Sequence, residues 1–150
     1  MNLVYRVAAL ALLSLVLSAH AAEGRIVKVL PHFLDQNGKH TLHPSLFERD
    51  AYQAHLKTHP ELCSGMRFDV QWKGRKLQNP KLQLEVRGAK IPARQIETFA
   101  RDLKSGGMFS RWAGITVPVA DFNRLGSIVA WRVSLWDGES KLAEQKSFLW

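Results

Sequence analysis

MRFDVQWK, residues 66 to 73, alternates apolar and polar side chains without a break. Met66, Phe68, Val70 and Trp72 take one side, and Arg67, Asp69, Gln71 and Lys73 take the other. That period of two is what a strand with one buried face requires. The following KGRKLQNP supplies Gly74, Asn79 and Pro80 as turn material, and KLQLEVRG then repeats the alternation with Leu82, Leu84 and Val86 inward. Further on, IVAWRVSLW sets Val129, Trp131, Val133 and Leu135 on one side. Asp137-Gly138 turns the chain and KLAEQKSFLW returns, which predicts a C-terminal hairpin.

Weaker alternation predicts strands at Arg25 to Leu30, around Gln95 to Ala100, and at Trp112 to Val117, which brings the total to seven. Gly106-Gly107 separates two of them, and VADFNRLG between Pro118 and Gly126 reads as a short crossing segment of about one helical turn. Seven short alternating strands with turn signals predict a mainly β chain, a sandwich of the immunoglobulin or fibronectin type III kind. The single cysteine, Cys63, excludes an internal disulfide.

One insertion interrupts the strands. Asp35-Gln36-Asn37-Gly38 is a turn, and Ser45-Leu46-Phe47-Glu48 has the S-x-x-E form of a capping box, which predicts a helix over about 46–58. Pro60 disfavours helical geometry at His59 and ends it.

The first residues, MNLVYRVAALALLSLVLSAHAA, pass from Arg6 through an apolar run to the small-residue pattern Ala19-His20-Ala21. This predicts a secretory signal peptide over residues 1–21, a single domain over 22–150, and export to the periplasm or the extracellular space. The apolar run is shorter than the roughly 20 residues of a membrane span, and no later stretch approaches that length, so no transmembrane segment is expected after cleavage. Cleavage would leave a charge near +7, from the +8 of the whole chain less Arg6. In an exported protein the partners open to that charge are anionic envelope polymers, lipid headgroups or acidic glycans rather than nucleic acid, but the basic residues are dispersed and read first as a solvated, solubilising surface, with a specific anion site as the alternative. Neither basic loop, Lys73 to Lys81 or Arg87 to Arg94, carries the interleaved aromatics of a single-strand binder.

LPHFLDQNGKHTLHPSLFERDAYQAHL, then RFDVQWK, then WRVSLWDG ending in SFLW, together resemble a group of uncharacterised exported bacterial proteins with an immunoglobulin-like β-sandwich. The resemblance covers nearly all of the chain after residue 21. It implies export and fold, and carries over no functional residue.

Five histidines, His32, His40, His43, His55 and His59, fall within twenty-eight residues, and HLKTHPELC spaces His55, His59 and Cys63 by four. Two imidazoles at i and i+4 on a helix, with a thiolate, would offer three positions around zinc or copper. The glutamate of H-E-x-x-H is missing, because Leu56 follows His55. By helical phase, His55 and His59 fall in the less polar arc, which predicts that they help dock the helix. Cys63 and a neighbouring histidine could also form a nucleophile and base pair of a hydrolase. Asp35, Glu48 and Asp50 are explained as turn, cap and helix N-terminal charge without acid-base work. No G-x-S-x-G, phosphate loop or dinucleotide fingerprint is present, and no cofactor is expected.

Of five tryptophans, Trp72 and Trp131 take inward phases. Trp136 takes the outward phase beside the hairpin turn, where an exposed indole could stack on a sugar or anchor a partner. Trp112 has no decisive phase. The expected function is an exported, non-enzymatic binding or structural protein of the cell envelope whose partner is an envelope protein, a glycan or an anionic polymer. Metal binding through His55, His59 and Cys63 is the alternative, and a Cys/His hydrolase the third.

Overall fold

The computed structural model describes residues 22–104 and 109–150. The signal-peptide expectation for residues 1–21 and the Gly106-Gly107 break lie outside them. Seven strands are described: β1 (Glu23–Asp35), β2 (Cys63–Arg75), β3 (Pro80–Gly88), β4 (Glu97–Asp102), β5 (Arg111–Val117), β6 (Ile128–Asp137) and β7 (Ser140–Lys146). They form two antiparallel sheets, ordered β1-β2-β5 and β4-β3-β6-β7. Two helices interrupt them, α1 (Leu46–Thr58) and α2 (Val119–Leu125).

β2 is the centre of the smaller sheet, and its alternation places the core. Phe68 and Val70 are fully buried and Trp72 nearly so, against Leu82, Leu84 and Val86 of β3 and Val133 and Leu135 of β6. Trp131 meets Phe68 edge to face, with ring centroids 5.8 Å apart. α2 carries the chain from one sheet to the other with Phe122 and Leu125 inward, and is longer than the expected single turn. Its approach to β3 needs Gly88, because a Cβ there would lie 2.3 Å from the Leu125 carbonyl oxygen. The β6–β7 hairpin turns at Gly138, whose φ of 56° lies in the left-handed region. Asp137 ties the β2–β3 loop to this hairpin by accepting the N–H groups of Gln78 and Asn79.

Two strands differ from their expected form. β1 runs past Leu30 to Asp35, with Pro31 paired opposite Phe68 but itself exposed. An edge strand needs ladder bonds on one side only, so the missing N–H of Pro31 does not end it. In β6, Val129 is exposed instead of inward, because a bulge pairs Gly88 with Ile128 and Arg87 with Ala130. The inserted helix spans the expected residues, but the capping box does not form. Ser45 makes no side-chain cap, its N–H donates to His43 Nδ1, and Glu48 Oε2 is turned toward the same nitrogen, 3.3 Å away, instead of toward the Ser45 N–H.

Phe68→Ala should destabilise the domain by about 3–5 kcal/mol, the usual cost of removing a fully buried phenyl ring. Lys73→Ala, on the exposed side of the same strand, should stay within about 0.5 kcal/mol. Urea denaturation of both variants checks the pair.

Candidate functional site: a cleft between the helix and the edge strand

β1 has a free backbone edge, and α1 covers part of it through one amide side chain. Gln53 Oε1 accepts the Phe33 N–H at 2.7 Å, while Gln53 Nε2 donates to the Phe33 carbonyl at 2.9 Å and to the His40 carbonyl at 2.8 Å. The side chain thus replaces a neighbouring strand at that residue. Asp35, buried at the end of β1, holds the turn that follows. Its carboxylate accepts the N–H groups of Asn37 and Lys39 and the Tyr52 hydroxyl, each at 2.8 Å. Burial pushes the Asp35 pKa up, but these three donors and the Lys39 charge outweigh it and hold the carboxyl below its ordinary range. Leu56, in the next turn of α1, enters the core.

Docked in this way, α1 leaves a cleft of about 330 Å³ against β1, lined by His32 and Phe33 from the strand and by Arg49, Asp50, Gln53 and Lys57 from the helix. His32 is buried, with its ring 4.9 Å from that of His40. Asp69 sits between Arg67 and His32: its Oδ2 lies 2.9 Å from Arg67 Nη2 and 3.5 Å from His32 Nε2. Arg67 Nη2 also reaches His40 Nδ1 at 3.2 Å. Burial lowers the His32 pKa; Asp69 opposes this, and His40, Arg67 and Arg49 add to it. Burial and Arg67 lower that of His40, again against Asp69. Both rings are therefore neutral at pH 7. A second cavity of about 320 Å³ lies at the far end of the same two strands, among Glu23, Arg25, Lys73 and Arg75.

The two outer faces of the sheets differ. On the four-stranded sheet, Glu85 holds Arg132 through two bonds of 2.7 Å, and the Trp150 ring lies 4.5 Å from the Arg87 guanidinium and 4.7 Å from that of Arg132. Ser134 is buried on that side. On the three-stranded sheet, Arg25, Lys28, Arg67, Lys73 and Arg75 share the outward register with two carboxylates, Glu23 and Asp69. That face carries a net positive charge; it is exposed at Arg25, Lys28, Lys73 and Arg75, half-buried at Arg67 and Asp69, and closed at His32.

The residues expected from sequence are placed as follows. His55 and His59 meet, with ring centroids 4.3 Å apart, but both are exposed rather than part of the helix-docking face. His59 Nδ1 lies 2.9 Å from the His55 carbonyl oxygen. Cys63 does not join them. Its sulfur is buried and lies 3.4 Å from the Leu56 carbonyl and 3.9 Å from that of His59. Pro60 causes the separation, because the 3-10 turn Pro60–Leu62 redirects the chain into β2. Burial, and then Glu61, pushes the thiol pKa up, opposite to what a nucleophile or a metal ligand needs. Among the described residues, no three His, Cys, Asp or Glu side chains are grouped to hold a metal ion. Trp136 is half-buried, with Lys81 Nζ 5.9 Å from its ring centroid, and its indole nitrogen is buried. Trp112 is instead the exposed tryptophan, at 53% of its surface. The His32–His40–Arg67–Asp69 cluster carries no sequence spacing that would announce it. The β1–β2 register, which sets His32 opposite Arg67, and the turn held by Asp35, which returns His40 to them, bring it together.

Comparison with family models, curated proteins and solved structures gives no match to this chain.

The two lowered histidines set a pH dependence. Folded, they bind protons less readily than in the unfolded chain, where the ordinary value is 6.5. Their neutral forms contribute fully above that pH, and stability falls as the pH drops through 6.5 toward the folded values, then levels off. The urea midpoint should accordingly be lower at pH 5.5 than at pH 7.5, and the difference should shrink in a His32→Gln/His40→Gln variant.

Proposed function

We propose that this chain is an exported, non-enzymatic binding protein on an immunoglobulin-like sandwich, and that it takes an anionic partner in the cleft between α1 and β1. The strand order supports the immunoglobulin-like half. With β1 to β7 lettered A to G, the constant-type domain groups A, B, E and D against C, F and G. Here A, B and E stay together, and the fourth strand joins C, F and G. Export is supported by the residues 1–21 pattern, and among the described residues no helix is long and apolar enough to cross a membrane.

The observation that carries the ligand class is the open, positively charged outer face of the three-stranded sheet, which runs into a cleft flanked by Arg49 and Lys57. Asp69 and Arg67 neutralise each other, and Asp50 holds Arg49 in place at 3.0 Å. Lys57 lines the cleft, and Lys28 and Lys73 add positive charge along the face that leads to it. A cavity of this size suits one anionic group with its neighbours rather than a whole small molecule enclosed on all sides. A non-enzymatic role is supported by the same side chains: the thiol is buried, and Asp35, Glu48 and Asp50 are each bound to a structural partner.

Immobilised polyphosphate and acidic glycans should both retain the protein at low salt, with affinity falling as salt rises. Arg49→Ala/Lys57→Ala should weaken this by at least about tenfold, equivalent to about 1.4 kcal/mol. Trp136→Ala, on the opposite sheet, should leave it unchanged. Retention that survives loss of Arg49 and Lys57 would move the site away from the cleft.

A further inference from the structure

We infer that the outer face of the three-stranded sheet is a binding path for an acidic polysaccharide, with Trp112 as the platform for a sugar ring and the cations beyond it as the seats of its carboxylates. This rests on the anionic-ligand reading above and adds the ring chemistry to it.

Trp112 is the one tryptophan of the five that stands exposed, and it does so on a regular strand. Its position opposite Gln71 places it on the same outward face as Asp69, Arg67, Lys28 and His32. A strand-held indole has only two side-chain torsions to fix, so presenting its flat surface to a ligand costs little entropy. Leaving it bare in water is unfavourable, and a partner that covers it gains by burying apolar area.

The neighbours decide what kind of partner that is. An indole at the centre of a protein–protein hot spot sits in a dry, tightly packed pocket. Trp112 is flanked instead by the Gln71 amide, whose Nε2 is held by Ser110 Oγ at 3.2 Å, and by Gly114, which carries no side chain. A nucleic-acid strand would ask for successive aromatic platforms, and among the described residues no second Phe, Tyr or Trp of β1, β2 or β5 shares this outward register. A pyranose fits both features, with an apolar C–H face for the indole and a rim of hydroxyl groups for amide and carboxylate.

Gly114 also shapes the floor. A Cβ there would come within 3.0 Å of Asp69 Oδ1 and 3.3 Å of Arg67 Cδ, so the bare backbone lets the Arg67–Asp69 pair lie across β5. The pair leaves an acceptor and donors near the platform, both part-exposed. From Trp112 the face continues past them to His32 and the α1 cleft. Two strand spacings and four residues of offset put Trp112 about 17 Å from His32. One chain of sugars can span that length while its carboxylates meet Lys28, Arg49 and Lys57. A partner with rings but no charge would leave those cations unused, and one with charge but no rings would leave the indole bare.

Three probes separate these cases: a short galacturonate oligomer, a polyphosphate of similar charge, and an uncharged maltooligosaccharide, each titrated calorimetrically into the exported chain. Galacturonate should bind most tightly and should shift the tryptophan fluorescence. Trp112→Ala should weaken galacturonate binding by roughly three- to tenfold, the range that aromatic stacking brings, and leave polyphosphate binding unchanged. Trp112→Phe should keep most of the galacturonate affinity. Arg49→Ala/Lys57→Ala should weaken both anions. If Trp112→Ala binds galacturonate as well as the parent does, the polysaccharide inference is overturned while the anion cleft stands. If neither anion binds the parent chain, both are overturned. Trp112 is exposed, so circular dichroism of Trp112→Ala should match that of the parent; Trp112→Phe keeps the test decisive if it does not.

Discussion

The amide of Gln53, bonded to both main-chain groups of Phe33, is the contact on which the rest of the candidate site depends. β1 is a 13-residue edge strand, and a strand edge left open is a template for unwanted pairing. Gln53 closes it at one residue and in doing so fixes α1 on the sheet. A helix of 13 residues is marginal in isolation, so its stability comes from this docking together with Leu56 in the core and Tyr52 on Asp35. Arg49, Gln53 and Lys57 lie four residues apart on one face of the helix, and the cleft forms where Gln53 ties that face to β1 with Arg49 and Lys57 on either side of it. Loss of the amide would strand a part-buried N–H and release the lining of the cleft together.

The two sheets divide the work. The four-stranded sheet spends its outer side chains on each other, with Glu85 on Arg132 and Trp150 over two guanidiniums. Cation–π contacts and a two-bond ion pair of this kind leave little for a ligand to gain. On the outward register of the three-stranded sheet the cations outnumber the carboxylates, and about half of the Trp112 surface is exposed. Buried groups between the sheets hold the two faces in fixed relation, so the open face is presented on a rigid floor.

Much of the architecture was legible because local pattern and burial agree. Met66 to Lys73 reads as a strand from its alternation alone, and Pro60 marks the end of α1 from its ring alone. Three features could not be read in that way. Pro31 looks like a terminator, and only its place on an edge strand makes it harmless. Val129 occupies an inward phase in the sequence, and a bulge that depends on pairing with Gly88 turns it out. Ser45 and Glu48 have the spacing of a capping box, but His43 competes for both.

The site was legible only in its ingredients. Histidine crowding drew attention to His55, His59 and Cys63, whose even spacing a proline-led turn then breaks. His32 and His40 are eight residues apart, and their meeting depends on the turn that Asp35 organises and on the β1–β2 register. Trp112 follows Arg111 at the start of its strand, too near the end for its phase to be read, and the pairing with Gln71 decides it. Long-range register is the information that a single sequence does not display, and it is what creates this face.

Binding at the three-stranded sheet is the proposal on which the functional reading turns. Backbone amide and indole N–H resonances followed by nuclear magnetic resonance during addition of galacturonate oligomer test it most directly. The shifts should concentrate at His32, Arg49, Gln53, Lys57, Arg67, Gln71 and the Trp112 indole. Shifts centred instead on Lys81, Arg132, Trp136 and Trp150 would place the binding face on the other sheet and contradict the account.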